Sequence, residues 1–266
     1  MKTAPLKTAI VIPARYASTR FPRKMLANDT GKTLIQHVWE NTQRVQGVAT
    51  ILVATDHGDI VSAVQSFGGE VVMTRDDHPS GSDRIAEVAA SRLADYDLII
   101  NVQGDEPSID PSYVETLIAL YAAHKPFMGT LVCPFETTAQ AADPNCVKAV
   151  LGAPLPDKQG DKQGGDVYPA LYFTRALAPY PRDTQGAVAN LADYSWHLGI
   201  YAYSPAAIQQ FVKYPVGRLE SIEKLEQIRA LENGHRIMAA KVPKATNGID
   251  TAEQYADFVA RYKSQQ

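Results

Sequence analysis

The sequence predicts an α/β fold: a Rossmann-like, mostly parallel, doubly wound sheet with a smaller α+β subdomain embedded at about residues 125–215. Apolar runs of strand length alternate with amphipathic stretches of helix length through roughly the first hundred residues, the pattern of repeated strand-helix units. Charged clusters follow directly on the first and the most apolar of these runs, and open α/β sheets gather ligands beyond the carboxyl ends of their strands. Beyond residue 125 the alternation loosens and turn residues multiply, although residues 1–266 still read as a single domain.

Ala9-Ile10-Val11-Ile12 opens a strand over 8–13. Leu34, Ile35, Val38, Trp39 and Val45 recur at helical spacing and predict a helix over 33–46. Thr50 to Ala54 supplies the next strand, a helix over 58–67 stops at Gly68-Gly69, and a short strand covers 70–73. A helix over 81–94 leads into Leu98-Ile99-Ile100-Asn101-Val102, the strongest central strand. Further strands are expected at 127–133, about 146–151 and 168–173, with an exposed, turn-rich excursion over 152–166 marked by Pro154, Pro156, Gly160, Gly164 and Gly165. Pro179 to Pro181 forms a link, and Trp196 to Tyr203 alternates like a strand. A long helix is expected from Ser221 to Glu232, with Ile222, Leu225, Ile228 and Leu231 on one face and Asn233-Gly234 as its stop. A strand over 236–242 and a helix over 251–263 close the chain.

A 45% hydrophobic content over 266 residues supports a large core, and a net charge of -3 gives no overall basic field for a nucleic-acid backbone. A small anionic ligand suits the local cations better. Cys133 and Cys146 lack the spacing of a zinc or redox motif. The first residues carry no secretory apolar core and no run approaches a membrane span, so a cytoplasmic protein without a membrane partner is expected.

The first strand breaks at Pro13 into a loop carrying Arg15, Arg20, Arg23 and Lys24, four cations at a strand's carboxyl end. Arginine forks match phosphate oxygens in pairs and lysine adds a point charge, so the loop reads as a polyphosphate grip, although a solvated basic loop is the simpler alternative. The Gly-x-x-x-x-Gly-Lys frame of a P-loop is missing, as is the Gly-x-Gly-x-x-Gly of a dinucleotide-dependent oxidoreductase. Asn101-Val102-Gln103-Gly104-Asp105-Glu106-Pro107 ends the central strand, and Asp105 beside bound phosphates is a natural place for Mg2+. Asp250, in Asn247-Gly248-Ile249-Asp250-Thr251, has helix N-cap as its simplest local role; brought to Asp105, it would complete a pair of carboxylates against a reacting phosphate. Ser80-Gly81 opens a helix either as a cap or as a donor to ligand. His197 reads as an orienting or packed residue rather than a catalytic base.

In this order the motifs resemble the nucleotide-sugar cytidylyltransferases, most closely the CMP-Kdo synthetase family of 3-deoxy-manno-octulosonate cytidylyltransferases. The resemblance rests on Ile12 to Arg20, Val53 to His57, Gly68 to Arg75, Ser80 to Arg84, Asn101 to Pro107, Ala170 to Arg175, His197 to Tyr203, Glu223 to Arg229 and Ile249 to Thr251. It implies that CTP and Kdo give CMP-Kdo and pyrophosphate for the lipopolysaccharide inner core. It further implies that Pro13, Ala14, Arg15, Ser18, Arg20 and Lys24 hold the triphosphate, with Arg75, Ser80, Gly81, Gln103 and Asp105 completing the nucleotide site. Asp105 and Asp250 would hold Mg2+, and Arg15, Lys24, Asp105 and Asp250 would carry catalysis. Gln103, Arg175, His197, Tyr201, Glu226 and Gln227 would meet the sugar acid, with Arg175 on its carboxylate, and a homodimer would form through the 125–215 region.

The family usually has Gly where this chain has Arg23, commonly Thr where it has Ser82, and a shorter segment where it carries 152–166. Alternatives are a cytidylyltransferase for 8-amino-Kdo or another acceptor, and a nucleotide-binding protein of the same fold without turnover.

Overall fold

The computed structural model describes residues 5–155, 167–246 and 248–265. The part of the turn-rich excursion from 156 to 166, and Asn247 of the last motif, lie outside the described residues. The chain divides into two compact units, Met1–Glu115 with Thr246–Gln266, and Thr116–Ala245.

In the first unit, β1 (Thr8–Ala14) is buried at all seven positions, as expected of a strand covered on both faces. It is followed by α1 (Leu34–Thr42), β2 (Val48–Thr55), α2 (Gly58–Ser66), β3 (Glu70–Met73), α3 (Gly81–Arg92) and β4 (Leu98–Asn101). The strands pair in parallel in the order β3-β2-β1-β4. The chain thus steps outward from β1 to β3 and returns on the other side of β1, reversing the strand order between β1 and β4. Ligands of open α/β sheets bind at such a reversal.

The helix predicted over 33–46 stops at Thr42. The Thr42 hydroxyl bonds the Trp39 carbonyl, and tight turns from Asn41 to Arg44 and from Thr42 to Val45 bury Val45 without continuing the helix. A helix the periodicity did not reveal, α4 (Pro111–His124), follows β4. Its signal was Asp110-Pro111: the Asp110 carboxylate accepts the Ser112 amide at 2.9 Å, and proline suits the first helical position.

The second unit holds β5 (Met128–Cys133), α5 (Thr138–Ala142), β6 (Lys148–Leu151), β7 (Val167–Thr174), β8 (Trp196–Tyr203), α6 (Pro205–Phe211), α7 (Arg218–Glu223), α8 (Ile228–Glu232) and β9 (Ile237–Lys241). Its strands run in the order β8-β5-β9-β7-β6; β5 and β9 are parallel and the other pairings are antiparallel. Parallel pairing therefore describes the first unit, and the second is mixed.

The long helix expected from Ser221 to Glu232 is two short ones. Lys224 takes left-handed backbone, φ 54, and ends α7 before α8 begins. The apolar face splits accordingly: Leu225 and Ile228 are buried, whereas Ile222 is 65% exposed. The break leaves Glu220 of α7 and Arg229 of α8 in a buried bidentate pair with contacts of 2.8 and 2.6 Å.

The chain ends with α9 (Ala252–Ser264), which belongs to the first unit; Ile249, Tyr255 and Phe258 share an apolar cluster with Leu34 of α1. Among the described residues no helix is long and apolar enough to cross a membrane.

Replacing Arg229 with Met strands the Glu220 carboxylate in a buried site and should lower unfolding free energy by about 3–5 kcal/mol, measured by urea denaturation. The double variant Glu220→Gln/Arg229→Met should recover most of that loss.

Candidate active site

The site grows from the seam between β1 and β4. Gly104 lies in the turn after β4, and a Cβ there would come 2.9 Å from the Pro13 carbonyl oxygen and 3.0 Å from the Met25 sulfur. Only glycine lets the two strand ends approach this closely. Ala14 closes β1 within the core, and Gly81, at the start of α3, faces the Pro13 ring, with 3.6 Å left for a Cβ.

The loop after β1 turns inward through Arg23, whose φ of 56 opens a short 3-10 turn over Lys24–Leu26. That turn delivers Lys24 as a buried ammonium. Its Nζ donates to Asp105 at 2.7 Å and to the Ile249 carbonyl at 2.6 Å, with Asp250 at 3.5 Å. The Ile249 amide in turn donates to the Asp105 carbonyl at 2.8 Å, and the Ile249 side chain is buried in the cluster with Leu34. These contacts bring Asp105 and Asp250, 145 positions apart in sequence, around one cation. Asp250 is not the helix cap that local sequence suggested: Thr251 caps α9, its side chain accepting the Gln254 amide, and the Asp250 carboxylate is left for Arg20 and Lys24.

Arg20 meets Asp250 at 2.9 Å, but with side chains 66% and 45% exposed the pair is worth at most about 1 kcal/mol and exchanges readily. Ser18 is half-buried in the same loop. Arg15 donates to the His78 carbonyl at 3.1 Å, and Gln103 donates to Asn101 at 3.3 Å. Arg75 is exposed and paired with Asp77 at 2.8 Å, and Ser80 is the cap of α3, accepting the Asp83 amide.

Several residues were not singled out from sequence. Glu106 lies beside Asp105, accepts the Thr246 hydroxyl at 2.7 Å, and crowds Gly248, where a Cβ would sit 3.0 Å from its Oε1. Withdrawal from water, aided by the charges of Asp105 and Asp250, lifts its carboxyl to about 7. Its adjacency to Asp105 was the available signal. Arg84, fully buried, pairs with Asp56 at 2.7 Å, and Asp56 also accepts the Tyr16 amide at 3.1 Å. The Tyr16 ring stacks on His57 at 3.5 Å, and the Arg23 guanidinium lies 5.6 Å from its centroid. A left-handed non-glycine residue costs about 1–2 kcal/mol, while an exposed guanidinium over a ring returns about 0.5–1 kcal/mol. The ring contact alone does not offset the strain at Arg23.

The remaining candidates lie in the second unit. Arg175 spends its Nε on the Glu223 carbonyl (2.8 Å) and Nη1 on the Pro144 carbonyl (3.0 Å), while its amide donates to the Glu223 carboxylate at 2.9 Å. His197 meets Thr130 at 3.0 Å, and Thr130 has carbonyls of Leu198 and Ile200 at 3.1 and 2.9 Å to receive its single hydroxyl proton. His197 Nε2 therefore carries the ring proton and donates, leaving Nδ1 as an acceptor. Burial pushes His197 down to about 3, so it is neutral near pH 7 and a poor base. Tyr201, 5.6 Å from it, has its hydroxyl pKa raised by the same withdrawal from water. Glu226 lies 3.5 Å from Arg229. Gln227 is 4% exposed, and its Nε2 has no hydrogen-bond partner among the described residues.

Two carboxylates within reach of one buried ammonium, with a basic loop alongside, fit Mg2+, which takes one or two carboxylates and fills its shell with phosphate oxygens and water. Among the described residues no three His, Cys, Asp or Glu side chains gather into a metal cluster.

A parallel sheet whose strand-order reversal collects a basic loop and paired carboxylates has the α/β nucleotidyltransferase arrangement. The model of the cytidylyltransferase family matches residues 9–237, and the chain belongs to that family. It is 41% identical over 264 residues to the 3-deoxy-manno-octulosonate cytidylyltransferase of Rhodopirellula baltica, covering 98% of this chain and 100% of that protein. It is 44% identical over 261 residues to the 8-amino-3,8-dideoxy-manno-octulosonate cytidylyltransferase of Shewanella pealeana, covering 96% and 98%. A solved CMP:2-keto-3-deoxy-manno-octonic acid synthetase in complex with CTP superposes with a TM-score of 0.83 at 38% identity, covering 98% of this chain and 100% of that one.

His197 makes stability depend on pH. Its folded pKa of about 3 lies below the ordinary 6.5, so the unfolded chain takes up the proton first. The stabilisation is complete above pH 6.5 and is lost as pH falls toward 3, by up to about 1.4 kcal/mol per pH unit. In urea denaturation across that range, His197→Gln should show a shallower fall than the parent protein.

Proposed function

We propose that this protein transfers CMP from CTP to the anomeric hydroxyl of 3-deoxy-D-manno-octulosonate (Kdo), releasing pyrophosphate, to supply the activated sugar acid of lipopolysaccharide inner core. The observation that carries the reading is the convergence of Lys24, Asp105 and Asp250 in the first unit. It is supported by the CTP named with the solved relative and the Kdo activity named for the Rhodopirellula relative.

In this reaction the anomeric oxygen attacks the α-phosphorus, a new P–O bond forms, and the bond to the β-phosphate oxygen breaks. The hydroxyl proton passes to solvent or to the departing pyrophosphate. Such transfers ask a protein mainly for alignment and charge stabilisation. Arg15, Ser18, Arg20 and Lys24 hold the triphosphate, with Pro13, Ala14, Gln103 and Asp105 lining it and Arg75, Ser80 and Gly81 toward the nucleoside. Asp105 and Asp250 would hold Mg2+, which when bound neutralises phosphate charge and stabilises the attacking and departing oxygens. The Lys24 ammonium, held at Asp105 and the Ile249 carbonyl, lends its charge to the phosphates from that position.

For the acceptor, Arg175 retains Nη2 for the sugar carboxylate, and neutral His197 offers Nδ1 to a hydroxyl. The Gln227 amide has a donor to give, and burying it without a partner costs about 1–3 kcal/mol that a bound sugar would relieve. Tyr201 and Glu226 complete the acceptor set. We also propose a homodimer, with residues 125–215 as the sugar-binding and dimerisation region of a single functional domain. A second acceptor, 8-amino-Kdo, is favoured by the Shewanella relative, whose 44% identity is close to and slightly above the 41% of the Rhodopirellula Kdo enzyme.

Pyrophosphate release should require CTP, Mg2+ and Kdo together. Release with 8-amino-Kdo alone would transfer the assignment to that acceptor, and release with neither would reject both. Asp105→Asn should lower turnover by a factor on the order of 10²–10³ while leaving the protein folded by circular dichroism. Arg175→Ala should raise the acceptor KM and leave the CTP KM nearly unchanged.

A further inference from the structure

Arg23 and Lys24 are consecutive cations that the structure sends in opposite directions. Lys24 is buried against Asp105 and the Ile249 carbonyl, whereas Arg23 is exposed with its guanidinium 5.6 Å from the Tyr16 ring centroid. Among the described residues the carboxylate pairs of this loop belong to Arg20 and Lys24, not to Arg23. The backbone on either side is held: Phe21 packs on Tyr255 and against the Leu34 cluster, and Lys24 is locked at the carboxylates. Tyr16 is held as well, by its amide bond to Asp56 and by its stack on His57. The Arg23 side chain is thus the movable part of a fixed frame.

We propose that Arg23 is a two-position clamp for the outer phosphates of the nucleoside triphosphate, resting on Tyr16 when no polyphosphate is bound and moving to the terminal phosphate oxygens when one is. This rests on the nucleotidyl-transfer reading of the site. A guanidinium over a ring at the surface is the weaker of its two seats, since a bidentate pairing with phosphate is both charge-assisted and geometrically matched. The left-handed backbone at position 23, which glycine would adopt without strain, is explained by the need for this side chain there. The clamp engages a triphosphate or pyrophosphate and leaves a monophosphate untouched.

Calorimetric titration of the protein with Mg-CTP, pyrophosphate and CMP tests this, using Arg23→Gly, Arg23→Lys and Tyr16→Leu. Glycine fits the backbone at position 23, so the first variant should fold. Arg23→Gly should weaken CTP and pyrophosphate about tenfold, equivalent to 1.4 kcal/mol, and leave CMP within about twofold. Arg23→Lys should keep the charge but lose the fork and fall between the two. Tyr16→Leu removes the resting seat and should leave CTP binding unchanged or tighter. Equal losses for CTP and CMP in Arg23→Gly, or the same loss in Tyr16→Leu, would show that Arg23 merely props the loop and would overturn the clamp. If the parent protein does not bind CTP, the cytidylyltransferase reading fails as well.

Discussion

The buried Lys24 ammonium is the constraint on which the rest of the site depends. One nitrogen satisfies Asp105, the Ile249 carbonyl and, at longer range, Asp250, so it links the loop after β1, the turn after β4 and the segment before α9. A cation with 7% side-chain exposure is costly without partners, and two carboxylates this close would repel each other without a cation. Each group makes the others tenable. The arrangement therefore holds opposite charges together at the reversal of the strand order, where an anion could take the place of a carboxylate on the ammonium and a cation the place of the ammonium on the carboxylates.

Around that centre the protein uses fixed groups rather than basic ones. Arg84 of α3 pairs with Asp56 beyond β2, whose carboxylate braces the basic loop through the Tyr16 backbone amide, and Gly104 lets the turn after β4 lie against the Pro13 carbonyl. The second unit follows the same logic: His197 is kept neutral and its tautomer is set by Thr130, while Arg175 is aimed by the carbonyls of Glu223 and Pro144. Preorganised donors suit a reaction whose difficulty lies in charge and alignment.

Much of this was legible in the sequence because the first unit obeys simple rules. Buried parallel strands read as unbroken apolar runs, and the loops that follow them carry the chemistry, which is why Arg15, Lys24 and Asp105 stood out together. Where the sequence misled, a local interaction had overruled periodicity. Lys224 in left-handed backbone splits an apparently continuous helix, and Thr42 turns its hydroxyl onto the helix backbone and ends α1 early. Asp250 looked like a cap because Thr251, the true cap, is also a good one and stands next to it. The raised carboxyl of Glu106, to which only its adjacency to Asp105 pointed, and the Tyr16–His57 stack both depend on three-dimensional neighbours.

The first unit is discontinuous, and its final stretch supplies both the carboxylate at 250 and the apolar anchor Ile249. A ribosome makes the chain from its amino end, so Lys24 and Asp105 emerge long before their third companion exists. Until residue 250 is released, the nascent protein carries its basic loop without one arm of its charge balance. The charge balance around Lys24 is thereby completed only after the whole stretch from 106 to 249 has been made, a timing set by the order of the segments.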